Sequence, residues 1–204
     1  MPRDGTITRD KILDTAEALI LDQGYSATSI DKLIAAVGVT KGAFFYHFEN
    51  KAALAHTLVE RYAQADLTLR DGFRARAEKL ARDPLQQLLI FIGLYEELME
   101  GFDEPFPGCL FASYLYEANL FDDRTMQIID DAYRDWRVTL GAMIDTVVET
   151  HTPNLPVNPD DLADMFTATI EGAFIMSKTL KEPKLVAAQI ALYRDFVELL
   201  FKAD

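Results

Sequence analysis

The chain has 204 residues, of which 50% are hydrophobic and 26% charged, the composition of one or two compact globular domains. It has a single cysteine, no apolar run long enough to span a bilayer and no secretory apolar segment in MPRDGTITRDK. An intramolecular disulfide is therefore excluded, no membrane association is expected, and a cytoplasmic location is. The net charge of −13 argues against a general nucleic-acid binder, but the charge is unevenly placed. Residues 1–61 hold 7 Lys/Arg against 8 Asp/Glu, whereas residues 62–204 hold 13 against 25.

In chain order, helical periodicity dominates and strand-like alternation is scarce. Thr8 reads as an N-cap, followed by Ile12, Ala16, Leu19 and Ile20 on one stripe, and Gly24 as a left-handed stop. Thr28 with Asp31 resembles a capping box for a short second helix carrying Ile30, Leu33, Ile34 and Val37. Gly38 breaks it, and Thr40 caps a third helix to about Phe48. A long fourth helix starts at Lys51 and runs towards Leu80. Asp83-Pro84 restarts a helix through Leu98. Residues 101–108 form a Pro-rich loop, and helix resumes over 109–118. A further helix follows Asp122-Asp123 to Val148, a second loop covers 151–159, and two final helices span 162–180 and 184–202. The fold class is all-α, with about nine helices.

The first three helices are short and joined by tight turns, the layout of a helix-turn-helix. At 100° per residue Phe44 and Phe48 share the inward face of the third helix, while Lys41, Gly42, Phe45 and Tyr46 spread over the other side. A lysine beside two exposed aromatics suits phosphates and thymine methyls. Gly42 weakens the helix by about 1 kcal/mol relative to Ala, which a close approach to a DNA backbone would explain.

The stretch LILDQGYSATSIDKLIAAVGVTKGAFFYHFENKAAL resembles the DNA-binding domain of the TetR family of bacterial regulators. Its G-Y-x-x-T-S run, A-x-x-x-G-V-T-K-G turn and F-Y-H-F-x-x-K ending agree in order and spacing. The similarity covers residues 8–56. It implies an N-terminal helix-turn-helix head at 1–50 and a helical effector-binding and dimerisation domain at 51–204. It also implies a homodimer that binds double-stranded DNA at a palindromic operator and leaves it when a small-molecule effector binds. Carried over by position, Thr28 and Ser29 would meet phosphates, Thr40, Lys41, Gly42, Ala43, Phe45, Tyr46 and His47 would form the recognition segment, and Lys51 would grip a phosphate. Phe45 stands where the family commonly has Tyr, so a hydroxyl is missing there.

Aromatic residues cluster in the middle helices, and an apolar effector pocket is expected among Phe91, Tyr95, Phe106, Cys109, Phe111, Tyr114, Tyr133 and Trp136. The segment PGCLFASYLYEANLFD resembles a G-C-L-x-x-x-x-x-x-E motif of one TetR-like subgroup, matched here by Cys109 and Glu117. In that subgroup a cysteine in this region senses electrophiles in some members; the alternative is a buried, inert thiol. Family analogy assigns the last two helices to a dimer bundle, with Phe166, Thr169, Gly172, Ala173, Met176, Tyr193, Phe196, Val197 and Leu200 at the interface. Intrachain packing is the competing role for the same residues.

No cofactor or metal is implied. His47, His56 and His151 lie at no ligand spacing, and Glu96-Glu97 and Asp122-Asp123 fit helix solvation and capping. The reading is a DNA-binding transcriptional repressor and not an enzyme. The alternatives are an activator of the same family, or a helical small-molecule-binding protein or enzyme with a vestigial head.

Overall fold

The computed structural model describes residues 3–202. Among them are nine α-helices and no strand: α1 (Arg3–Gln23), α2 (Ile30–Val37), α3 (Lys41–His47), α4 (Lys51–Leu80), α5 (Pro84–Glu100), α6 (Leu110–Leu115), α7 (Asp123–Thr150), α8 (Pro159–Leu180) and α9 (Leu185–Phe201). A 3-10 turn at Ala118–Leu120 follows α6. The all-α expectation and the helix order agree with this.

Several boundaries follow from local chemistry. Gly24 and Gly38 have φ of 87° and 76°, a left-handed conformation that glycine adopts without a Cβ penalty, and each ends a helix. Asp83 accepts from the Gln86 N–H at 2.9 Å, and Pro84 takes the first turn, where no N–H is needed. Two boundaries differ from expectation. α1 begins at Arg3, so Thr8 lies inside the helix and not at its N-cap position. The cap of α2 is Ser29, whose hydroxyl accepts from Lys32 N–H at 3.2 Å, and not Thr28.

The chain forms two compact units. The first joins residues 1–65 with 107–130, and so contains α1, α2, α3, the start of α4, α6 and the start of α7. The second joins 66–106 with 131–204. These units do not follow a linear division after residue 50, because residues 51–65 and the α6 segment pack with the three-helix head.

In the first unit, Ile12, Leu13, Ala16, Leu33, Val37, Phe44, Leu54 and Leu58 are buried together as the apolar stripes of α1 to α4. Arg61 of α4 fixes α1 from outside, donating to Asp14 at 2.6 Å and Glu17 at 2.9 Å. In the second unit the core is formed by Leu88, Phe91, Ile92, Leu140, Ile144, Phe166, Ile190 and Val197, from α5, α7, α8 and α9.

Candidate DNA-binding site

The three helices of the head are joined by two turns of backbone. Gly24 N–H returns to Ile20 O at 2.9 Å, and the chain then buries Tyr25. Gly38 N–H closes on Ile34 O at 2.9 Å, and Val39 N–H reaches the same oxygen at 3.3 Å. Thr40 then caps α3, its hydroxyl accepting from Ala43 N–H at 3.1 Å. Phe44 and Phe48 are buried, with ring centres 6.0 Å apart, and anchor α3 on the head.

The opposite face of α3 is open. Lys41 and Gly42 are exposed, Phe45 is 42% exposed and Tyr46 82%. A Cβ on Gly42 would meet nothing closer than Thr40 Oγ1 at 4.0 Å, so no contact within the chain requires glycine there. His47 is half-buried with its ring edge-on to Tyr46 at 5.0 Å, while Ala43 is half-buried at the flank. Ser29 and Thr40 are exposed at the starts of α2 and α3. Together these residues make a polar and aromatic strip that includes two capped helix N-termini.

Two positions differ from the sequence reading. Thr28 is buried, and its hydroxyl donates to Gly24 O at 2.9 Å. It closes the turn after α1 and is not presented to a phosphate. Lys51 is half-buried; its Nζ donates to Tyr25 O at 2.5 Å and lies 3.8 Å from the centre of the Tyr25 ring. Burial moves its ammonium below the ordinary lysine value, partly offset by the negative charge of Glu117.

Glu117 is the residue whose role the sequence did not reveal. Its carboxylate accepts from Tyr25 N–H at 2.7 Å, from Ser26 N–H at 3.0 Å and from the Ser26 hydroxyl. The Ser26 hydroxyl, then the two backbone donors and Lys51, hold its carboxyl below the ordinary value. The same segment carries Tyr114, which stacks on Phe121 at 4.2 Å, lies 5.8 Å from Tyr25 and directs its hydroxyl to Ala55 O at 3.3 Å. The α6 segment is thereby tied to the turn that launches α2. A cavity of about 10 Å³ under that turn, lined in part by Thr28, Ser29, Ile30 and Lys51, has room for one water at most.

The expected pocket residues do not form one group. Phe91, Tyr95, Phe106, Tyr133 and Trp136 fall in the second unit, whereas Cys109, Phe111 and Tyr114 fall in the first. Tyr114 packs on Tyr25 and Phe121 within the first unit and is not part of the aromatic cluster of the second. Phe111 meets Tyr62 edge-on at 4.9 Å, and Cys109 is buried at the position preceding α6. In the second unit Tyr95 lies 5.3 Å from both Phe91 and Trp136. Phe106 stacks on Phe174 at 4.7 Å, and Tyr133 donates to Glu171 at 3.1 Å.

The residues expected at a dimer surface also divide. Phe166, Ala173, Tyr193, Val197 and Leu200 are buried within the chain, and Tyr193 donates to Leu162 O at 2.8 Å. They are core, because α8 and α9 pack on each other and on α5 with these faces. Thr169 and Gly172 are partly exposed, Met176 and Phe196 exposed. Met165, Ile175, Leu180, Leu192 and Leu199 are exposed as well and lie outside the expected set. Among the described residues no three His, Cys, Asp or Glu side chains are grouped to hold a metal, and no helix is long and apolar enough to cross a membrane.

A three-helix head with an open recognition face, followed by a larger helical body, defines a helix-turn-helix transcriptional regulator. The family model for bacterial regulatory proteins of the tetR family matches residues 12–58, and that for the tetracyclin repressor-like C-terminal domain matches 84–192. The chain belongs to the TetR family. The HTH-type transcriptional repressor DhaR of Mycobacterium sp. (strain GP1) is 24% identical over 173 residues, covering 85% of this chain and 83% of its own. The transcriptional regulator AcuR of Cereibacter sphaeroides is 25% identical over 187 residues, covering 88% and 80%. A TetR-family regulator from Agrobacterium tumefaciens superposes with a TM-score of 0.77 at 24% identity, over 98% of this chain and 100% of its own. The protein is thus a DNA-binding transcriptional regulator and not an enzyme.

Proposed function

We propose that this regulator is a repressor that binds a palindromic operator as a homodimer and is released by a small-molecule effector. The observation that carries the reading is the open face of α3, where Lys41, Gly42, Phe45 and Tyr46 point to solvent beside the caps Ser29 and Thr40. Exposed aromatics cost free energy in water and gain it against thymine methyls and sugar edges. The head, α1 to α3, acts as the DNA-binding domain, braced by residues 51–65 and the α6 segment, and the helices of the second unit serve effector binding and dimerisation. Ala43 and His47 flank the recognition face, and Lys51 supports it from the start of α4 by holding Tyr25 O. The repressor name of the Mycobacterium relative supports the sign of regulation. A choline complex of a regulator from Saccharomonospora viridis, 23% identical and with a TM-score of 0.71, supports only a fold able to host small ligands.

Dimerisation is supported by Met165, Ile175, Met176, Leu192, Phe196 and Leu199, exposed apolar side chains on α8 and α9. An apolar face of this kind is stable in water when a second copy covers it. Two heads then address half-sites about 34–36 Å apart. Footprinting on the DNA flanking the gene tests the reading. A saturable, symmetric protected site is expected, and its absence overturns the proposal.

A further inference from the structure

Arg70 of α4 is only 2% exposed, and its Nε and Nη1 meet no acceptor from the protein. Its Nη2 lies 4.0 Å from Asp135, too far for a hydrogen bond. The guanidinium instead lies over the Trp136 ring, 5.3 Å from its centre. One turn earlier on α4, Asp66 is occupied by the Trp136 indole, which donates to it at 2.8 Å. The hydroxyl of Tyr95 on α5 is also buried and also lacks a partner, and its ring lies 5.3 Å from Trp136. Around these groups stand Phe73 at 4.7 Å, Phe91 at 5.3 Å and Phe166 at 5.9 Å from the Tyr95 ring.

A buried guanidinium without acceptors destabilises a fold, and an apolar side chain of similar volume would serve packing better. Its retention inside an aromatic cluster is accounted for by a ligand that supplies the acceptor. Both unpaired groups are donors, and one carries a full positive charge. Burial raises the Asp66 carboxyl above its ordinary value, against the Trp136 hydrogen bond and the Arg70 charge, which lower it; its Oδ2 already accepts from the indole. Burial likewise keeps the Tyr95 hydroxyl protonated.

Resting on the reading of the body as effector-binding, we infer that the effector is a monocarboxylate with a flat or slender apolar part. Its carboxylate accepts from Arg70 and Tyr95, and its apolar part lies among Phe73, Phe91, Trp136 and Phe166. Trp136 is only partly buried and marks the side from which the ligand enters. A phosphate dianion is less well matched, because the second charge finds no second cation here.

Calorimetry on the full-length protein with benzoate, cinnamate and hexanoate, their primary amides, and inorganic phosphate tests this. At least one carboxylate should bind, with its amide and phosphate weaker by about tenfold or more. Tyr95→Phe should weaken that carboxylate about tenfold, and Arg70→Gln about a hundredfold, with helicity and the thermal midpoint monitored in each. Tyr95→Phe removes one oxygen only, so it remains informative if Arg70→Gln fails to fold. Equal affinity for acid and amide, no binding by any carboxylate of the set, or an unchanged Tyr95→Phe overturns the inference. Operator protection that persists without carboxylate binding removes this inference alone. Carboxylate binding by a protein that protects no DNA removes the repressor reading alone.

Discussion

Glu117 and Ser26 lie 91 residues apart in sequence, yet the Glu117 carboxylate takes both the backbone N–H and the hydroxyl of Ser26. With Tyr25 N–H as a third donor, one side chain from the α6 segment satisfies the turn between α1 and α2. The α6 segment is thereby pinned to the turn that leads into α2. Glu117→Gln places an amide nitrogen where an acceptor is needed and removes the charge facing Lys51. The site is open to solvent, so the expected cost is modest, about 1 kcal/mol, or a fall of roughly 2–4 °C in thermal midpoint. Operator affinity should fall with it. Unchanged stability and affinity would remove the latch.

The same contact sets a pH dependence. Glu117 is held below its ordinary value of 4.5, foremost by the Ser26 hydroxyl. A carboxyl lowered in the folded state stabilises fully above its unfolded value, and that stabilisation is lost as pH falls through the folded value. The gap in thermal midpoint between the parent and Glu117→Gln should hold from pH 7 to 5 and close below pH 4.5. A constant gap down to pH 3 would mean that the carboxylate charge contributes nothing.

Lys41 and Lys51 are expected to separate. Lys41 is exposed, so Lys41→Ala should reduce the salt slope of operator binding by about one unit and leave the thermal midpoint unchanged. Lys51 holds Tyr25 O and covers the Tyr25 ring, so Lys51→Ala should lower the midpoint as well as the affinity. Salt titrations by gel shift together with thermal melts distinguish the two. Equal midpoints for the two variants would show that the Lys51 contact to Tyr25 adds no stability.

What the sequence disclosed is what local chemistry governs. Gly24 and Gly38 can be placed because a left-handed stop demands glycine, Thr40 because a cap demands a short hydroxyl, and Phe44 and Phe48 because their spacing puts both on one face. Thr28 and Ser29 were harder, since two adjacent hydroxyls offer the same cap and only the backbone decides between them. Glu117 could not be paired with Ser26, because nothing local links a residue after α6 to a turn after α1. Arg70 left no trace: Asp66 and Arg74 stand one helical turn to either side of it, so the spacing reads as a charged stripe and does not mark the residue as buried. On α8 and α9 the apolar band is too wide for spacing alone to divide core from surface.

That division yields the sharpest contrast. Leu192 is 60% exposed on α9, while Val197 on the same helix is fully buried in the core. A charge at Leu192 meets only water in a single chain, so Leu192→Glu should leave the monomer fold intact. In a dimer covered by this face, the carboxylate would be stripped of water against a partner's apolar side chains, a desolvation penalty large enough to split the pair. Sedimentation should therefore show a folded monomer, and operator binding should fall because two half-sites are no longer addressed together. Val197→Ala opens a gap inside the chain and should lower the thermal midpoint, by about 1–3 kcal/mol in stability, without changing the oligomeric state. A dimeric Leu192→Glu would move the interface away from this face of α9.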